Sequence, residues 1–227
     1  MLSDDETPVE VNNVTIPSWV IWFVGLILAM SVFGFIYFHR YTKSIHDYKF
    51  AISAYQEGDF ETAEKYSASA SALVPDNKEF LTLMYYISGI KNYSESNFAE
   101  ALEFLEKYLS YESDDAFIDE LVTSMKISNA FEDKDYSLMA DLSEQLYSNY
   151  SDEPQVILQY ASALACKYAD SENADDYNKA LELIETARTY ELDDSNIDYI
   201  KRIEYRLSTK NIISKAEYMQ LEEEGKL

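Results

Sequence analysis

The most apolar part of the chain is the run from Trp19 to Phe38, which contains 20 residues and no charge. At about 1.5 Å per residue, a helix of this length spans the roughly 30 Å hydrocarbon core of a bilayer. Twelve of the residues are Leu, Ile, Val or Phe, which together favour membrane insertion by about 4–7 kcal/mol. The pattern predicts one transmembrane helix over residues 17–38.

Aromatic and basic residues at the two ends of this run predict its membrane interfaces. Trp and Tyr favour the two boundaries of a bilayer, and Lys and Arg favour its cytoplasmic side. The predicted interface residues are Trp19, Trp22, Tyr37, Arg40, Tyr41 and Lys43. Because the basic residues follow the run, we expect the N-terminus outside and the rest of the chain in the cytoplasm. A translocated domain and a cleaved signal peptide are the alternatives, and the acidic N-terminus argues against the second.

The chain beyond the membrane segment contains a repeated pattern of aromatic, polar and small positions. Its ring positions are spaced by 38, 38 and then 37 residues, or 41 where the last turn is longer. One column of short polar side chains predicts helix N-caps, the next supplies a ring, and the third stays small where helices cross. These columns are Asp59, Asn97, Asp135 and Asp176; Phe60, Phe98, Tyr136 and Tyr177; and Ala63, Ala101, Met139 and Ala180.

The repeat resembles the tetratricopeptide repeat (TPR) family. The first unit carries the resemblance through Tyr55, Gly58, Phe60, Ala63, Ala70 and Pro75, and the second through Gly89, Phe98 and Ala101. The resemblance covers residues 44–194 and implies about four helical hairpins stacked in a right-handed superhelix, whose concave face often receives an extended peptide. The clamp that some members use for acidic C-terminal peptides is not expected, since only Lys49 and Lys126 are basic in the corresponding stretches 48–52, 83–90 and 121–127.

The predicted organisation is therefore all-α, with one transmembrane helix followed by a TPR-like α-solenoid. Its parts are an acidic arm (1–16), the transmembrane helix (17–38), a basic juxtamembrane helix (39–47), the repeats (44–194), a capping helix (195–210) and an acidic tail (211–227). The predicted hairpins are 44–57 with 59–73, 78–94 with 97–110, 115–132 with 136–149, and 153–169 with 176–190. No Gly or Pro lies between Phe38 and Glu57, so the transmembrane helix is expected to continue into the first hairpin.

Charge and chemistry narrow the possible functions. The formal net charge of −24 repels nucleic acid and favours a protein partner with basic or extended segments. His39, His46 and the single Cys166 form no catalytic arrangement, and the acidic clusters follow turns, where they favour helix N-termini. No catalytic residue, metal site, cofactor or small-molecule substrate is predicted.

The aromatic column offers the best candidates for partner contact. The predicted partner-binding residues are Tyr48, Tyr55, Tyr86, Tyr93 and Phe131. Large rings anchor protein interfaces, but helical repeats also bury rings between neighbouring helices, and the sequence leaves both placements open. The expected function is a non-enzymatic, membrane-anchored adaptor for protein interaction. The alternative is a structural or assembly subunit of a membrane complex.

Overall fold

A computed structural model describes residues 17–227, so the predicted acidic arm lies outside the described residues. Within this range the chain forms ten helices and no strand, which confirms an all-α fold. The helices are α1 (Ser18–Gln56), α2 (Phe60–Leu73), α3 (Lys78–Ser94), α4 (Phe98–Leu109), α5 (Ala116–Glu132), α6 (Tyr136–Asn149), α7 (Pro154–Ser171), α8 (Ala174–Ala187), α9 (Asp194–Thr209) and α10 (Lys215–Glu223). Contacts divide the chain into two compact units, with the boundary between Ile87 and Ser88.

Helix α1 is 39 residues long and has no break. Pro17 precedes it with φ −59°, a value that suits the entry to a helix. Its N-terminal half is long and apolar enough to cross a membrane, and its side chains from Ile21 to Arg40 are exposed. The predicted continuity of the membrane segment with the first hairpin is confirmed.

The C-terminal half of α1 packs against α2 in the first unit. Ala51, Ala54 and Ala63 are buried there, so small side chains let the two helices approach closely. Asp47 is also buried and accepts a hydrogen bond of 2.7 Å from the Ser69 hydroxyl. Because a buried carboxylate without a partner is costly, this bond fixes the register of the hairpin.

The second unit has its hydrophobic core around α7, which packs against α6, α8 and α9. Ten consecutive or nearly consecutive side chains of α7 are buried, so the helix is covered on all sides along most of its length. Ile157, Leu158, Ile184 and Ile203 are among the largest fully buried residues of this core. The position of α7 therefore determines where the neighbouring helices lie.

Three of the four predicted hairpins close with the same turn. A residue in the left-handed region stands before each N-cap, and the N-cap N–H donates to the carbonyl five residues earlier, which satisfies a group at the end of the first helix. The left-handed residues are Gly58 (φ 80°), Ser96 (φ 64°) and Lys134 (φ 58°), and the bonds are Asp59 to Ala54 (2.9 Å), Asn97 to Asn92 (2.8 Å) and Asp135 to Ala130 (2.9 Å).

The predicted N-cap column is only partly correct. The carboxylates of Asp59 and Asp135 each accept a backbone N–H, both at 3.0 Å, whereas Asn97 occupies the N-cap position without such a bond. The prediction for Asp176 is wrong. Asn173 caps α8, accepting the Asp175 N–H at 2.9 Å, and Asp176 is buried inside the helix.

The error at Asp176 has a local cause in the end of α7. Helix α7 continues to Ser171, and Glu172 then adopts φ 60°, so the turn is shorter than predicted and α8 begins at Ala174. Asp176 instead lies 3.8 Å from the Lys167 ammonium. The predicted 176–190 helix is therefore displaced toward the N-terminus, to Ala174–Ala187.

Helix α9 lies at the position of the predicted capping helix, whereas α10 lies within the predicted acidic tail. Helix α9 corresponds to the predicted capping helix, and Asp193 caps it by accepting the Asn196 N–H at 2.8 Å. Ser214 and Glu217 form a capping box at the start of α10. The segment 211–227 is thus partly helical rather than a simple tail.

We predict that Gly89→Ala destabilises the second unit. A Cβ at this position of α3 would clash with the side chain of Leu105, which is fully buried in α4. Ala favours a helix over Gly by about 1 kcal/mol, but overpacking costs about 1–3 kcal/mol, so the free energy of unfolding should fall. Urea unfolding of the full chain in detergent measures the change.

The double-mutant cycle with Leu105→Ala provides the control. Leu105→Ala alone should cost about 2–5 kcal/mol through the cavity it leaves. Adding Gly89→Ala to Leu105→Ala should then cost little or restore stability, because the clashing side chain is gone. Additive effects of the two substitutions would contradict the close approach of the helices.

Candidate partner-binding groove and membrane flank

The predicted interface residues surround the exposed apolar half of α1. The side chains of Trp19 and Trp22 are 68% and 80% exposed, and Tyr37 stacks on Tyr41 with ring centroids 6.1 Å apart. Arg40 and Lys43 are exposed and make no ion pair with another described residue. The flank therefore presents free cationic groups next to a cylinder of apolar side chains, an arrangement that suits the boundary of a bilayer.

Three of the predicted partner-binding rings lie in the first unit. The hydroxyls of Tyr55 and Tyr86 are 3.0 Å apart, and their rings meet edge to face with centroids at 5.5 Å. Tyr48 donates to Glu79 Oε1 at 2.8 Å and its ring contacts Phe80. Burial and the Glu79 carboxylate raise the pKa of Tyr48 to about 12. These rings are half-buried between α1 and α3, so packing accounts for much of their surface.

The ring column forms a contact at each of the four hairpins. One ring at the end of the first helix meets one near the start of the second, at the separations favoured by aromatic pairs. The centroid distances are 5.6 Å for Tyr55–Phe60, 5.7 Å for Tyr93–Phe98, 6.3 Å for Phe131–Tyr136 and 5.0 Å for Tyr168–Tyr177. The fourth pair persists although Tyr177 lies deeper in its helix than the other second rings do.

The other two predicted rings, Tyr93 and Phe131, line a groove in the second unit. Three adjoining clefts make up this groove. The first, of about 210 Å³, is lined by Tyr93, Phe98, Leu121, Ser124, Met125, Ser128 and Asn129. The second, of about 290 Å³, shares Ser128 and adds side chains that include Phe131, Gln159, Ser162, Tyr199, Arg202 and Arg206. The third, also about 290 Å³, shares Gln159, Tyr199 and Arg202 and adds Gln155, Ser195 and Asn196.

The walls of the groove come mainly from the first helices of the hairpins and from α9. Helix α5 contributes Ser128 and Phe131, α7 contributes Gln159, and the start of α10 adds Lys215 to the middle cleft. Tyr93 and Phe131 are thus brought to one face of the second unit. Tyr93 is 40% exposed there, and Phe131 is half-buried. Aromatic, amide and hydroxyl groups along such a face suit an extended protein segment.

The cationic part of the groove, formed by Arg202 and Arg206 in its second and third clefts, was not among the sequence predictions. Arg206 is only 7% exposed, and its Nη1 donates to the carbonyl (3.3 Å) and the hydroxyl (2.9 Å) of Ser162. The guanidinium of Arg202 lies 4.7 Å from the centroid of the Tyr199 ring, a cation–π contact. Burial raises the pKa of Tyr199, against the opposing effects of Ser162 and Arg206.

The spacing of residues along α9 gives a sequence signal for this cationic part of the groove. Tyr199, Arg202 and Arg206 are spaced i, i+3 and i+7, which places all three on one helical face. In a chain with 42 acidic and 18 basic residues, two arginines and a tyrosine on one face of a predicted capping helix are unusual. From the sequence, that helix was predicted only as a capping helix over residues 195–210.

The remaining reactive side chain, Cys166, is fully buried in α7. Burial raises the pKa of its thiol to about 11, although the positive charge of Arg206 acts in the opposite direction. Within residues 17–227, no group of three or more His, Cys, Asp and Glu side chains is placed to hold a metal ion. Cys166 is therefore a packed core thiol in this arrangement.

No protein-family model matches the chain, and no curated protein has significant similarity to it. The class of the protein is accordingly defined by its own architecture. Over residues 17–227 it is all-helical, with one helix long and apolar enough to span a membrane.

We predict that Cys166 resists alkylation in the folded protein. With a pKa of about 11, roughly one-thousandth of the thiol is ionised at pH 8, and the side chain is inaccessible. Iodoacetamide labelling followed by mass spectrometry should be at least about 100-fold slower than in urea, where the thiol is exposed and its pKa is normal. Equal rates with and without urea would show that α7 is not packed as described.

Proposed function

We propose that the protein is a single-pass membrane scaffold that binds a protein partner through TPR-like helical hairpins. The observation that carries this proposal is the continuity of α1. The same helix presents an exposed apolar half and then, from Ser44 onward, packs into the first hairpin. A helix of that kind has no other described residues to cover its apolar surface, and a bilayer would do so.

The repeated geometry supports the TPR-like part of the proposal. Three hairpins share one turn with a left-handed residue before the N-cap, and all four contain a ring pair. In the second unit the first helices α5 and α7 line one groove, as the concave face of the family would require. The hairpins contain no arrangement of groups that suggests chemistry, which favours binding over catalysis.

The groove of the second unit is the proposed binding surface. Tyr93 and Phe131 would contact the partner there, while Tyr48, Tyr55 and Tyr86 lie in the first unit and are candidates for a separate partner contact. An extended segment fits a groove lined by amides and rings, and basic partner segments would be attracted to the acidic surface elsewhere. We propose a cytoplasmic location for the hairpins, because Arg40 and Lys43 follow the membrane segment.

A structural subunit of a membrane complex is the second candidate. The face of α1 around Gly25 favours it, since a Cβ added at Gly25 would meet no described atom within 4 Å. Gly25 and Ala29 form a small-xxx-small pair on this open surface, where another membrane helix could approach closely. Such a subunit would leave detergent-solubilised membranes in a complex of fixed stoichiometry, whereas a scaffold would leave alone or as a small oligomer.

We predict that a protein partner contacts the groove and not the exposed surface of α8. A photo-crosslinking amino acid at Ser128 in the full chain, in intact native membranes, should give one dominant crosslinked protein. The same amino acid at the exposed Glu185 is the matched control. Comparable crosslinking at both positions, or none at Ser128, would contradict the groove as the binding surface.

We predict that the hairpins face the cytoplasm. In sealed right-side-out cells or vesicles, protease should leave the hairpins intact and remove them only after permeabilisation, because the membrane would shield them. A tag at the C-terminus reports the result by immunoblot. Digestion in unpermeabilised cells would place the domain on the other side and leave the partner-binding proposal standing.

A further inference from the structure

The cationic part of the groove differs in charge from the rest of the chain. Two arginines, Arg202 and Arg206, line the middle cleft together with Lys215 and a single carboxylate, Glu132. We propose that this cationic part of the groove binds the carboxylate of an acidic side chain in an extended segment of the partner. The inference rests on the proposed function, and it assigns the partner a local acidic residue that the net charge of the protein would not suggest.

Arg206 carries the first part of the evidence. Its side chain is more than nine-tenths buried, and its Nε has no hydrogen-bond partner within the described residues. Nη1 is occupied by Ser162, so the unused donor lies on another edge of the guanidinium. A buried donor without an acceptor costs free energy, and a buried cation without an anion costs more. A carboxylate in the cleft would compensate the buried positive charge.

Arg202 supplies the second part. Its Nε is also buried without an acceptor, and its guanidinium is held against the Tyr199 ring. Among residues 17–227, no carboxylate lies within 4 Å of either guanidinium, in a chain where acids outnumber bases by more than two to one. Arg188 shows the ordinary alternative, because it pairs with Glu185 at 2.6 Å and Glu204 at 2.7 Å.

The surroundings of the arginines favour a peptide carboxylate over a phosphate group. The groove continues past Arg202 along Gln155, Gln159 and Asn196, whose amides can donate to and accept from an extended backbone. Glu132 in the cationic cleft repels a dianionic phosphate more strongly than a singly charged carboxylate. Planar guanidinium groups also bind carboxylates through two parallel hydrogen bonds.

The test follows the arginine Nε–H resonances of the full chain in phosphatidylcholine nanodiscs. Arg40 and Arg188 are the chain's other arginines and serve as internal controls. The probe is an acetylated, amidated peptide of alternating glutamate and leucine, and its glutamine counterpart is the matched control. We expect saturable shifts of the Arg202 and Arg206 signals with the glutamate peptide and none with the glutamine peptide.

Three results would overturn the inference. One is the absence of shifts with the glutamate peptide, or equal shifts of all arginines. The second is a response to inorganic phosphate at concentrations equal to or below those of the peptide, which would assign the site to a phosphate group. The third is the loss of the peptide response when anionic lipid replaces part of the phosphatidylcholine, which would assign it to a lipid headgroup.

Substitutions at the cleft provide a second measurement. Arg202 is only partly buried, so Arg202→Gln should fold, and it should weaken binding of the glutamate peptide by about tenfold or more. Arg206→Lys keeps the charge but loses the planar fork, and it should also weaken binding. Arg188→Gln is the control and should bind normally. Unchanged affinity in Arg202→Gln would overturn the inference.

The inference and the proposed function fail in different ways. A partner crosslinked at Ser128, without any response of Arg202 or Arg206 to the glutamate peptide, would leave the scaffold standing and remove the carboxylate site. A response of both arginines without a crosslinked protein would keep the anion site and remove the proposed scaffold role.

Discussion

The contact on which the hairpins depend is the ring pair that closes each of them. One ring ends the first helix and the other lies near the start of the second, with centroids 5.0–6.3 Å apart. Aromatic pairs at these distances gain about 0.5–1.5 kcal/mol beyond the burial of their area. Together with the left-handed residue in the turn, the pair determines how the second helix folds back on the first. The groove exists because this geometry recurs in α5 and α7 and leaves the first helices facing one cleft.

Local charge in the groove opposes the charge of the whole chain. A formal charge of −24 governs long-range attraction and repulsion, which salt screens over about 8–10 Å. Direct contacts at Arg202 and Arg206 operate over shorter distances and inside a partly buried cleft, where charges interact more strongly. Under the proposed function, the acidic surface would select partners at a distance, and the cationic part of the groove would select a particular side chain in contact.

Much of the fold could be predicted from the sequence because the repeated positions are regularly spaced and the residues that begin and end helices are easy to recognise. Few Gly and Pro residues interrupt the helices, and the uncharged run from Trp19 to Phe38 marks the exposed half of α1. The N-cap prediction failed at Asp176 because the four repeats were aligned on their aromatic residues. Tyr177 keeps its contact with Tyr168 from a position farther inside α8, so the ring column and the N-cap column separate in the last hairpin.

The candidate site was harder to predict than the fold, for a physical reason. Tyr93 and Phe131 were predicted as partner-binding residues because rings stand out in a repeat, but ring position alone cannot separate exposed rings from packed ones, as Tyr55 and Tyr86 illustrate. Arg202 and Arg206 were not predicted because the feature that distinguishes them, the lack of a nearby carboxylate, depends on tertiary contacts. Within the described part of the chain, Arg188 has carboxylate partners whereas Arg202 and Arg206 have none within 4 Å, a difference that only tertiary structure reveals.

The continuity of α1 places the first hairpin close to the proposed membrane surface. Arg40 belongs to the basic flank, and Ser44, only one turn later, is already fully buried within the first unit. At about 1.5 Å per residue, these positions are roughly 6 Å apart along the helix axis. No flexible linker separates them, and the buried Asp47–Ser69 hydrogen bond holds α2 to the same stretch. Under the proposed membrane anchoring, α1 would therefore constrain both the distance of the first hairpin from the lipid and its angle to it.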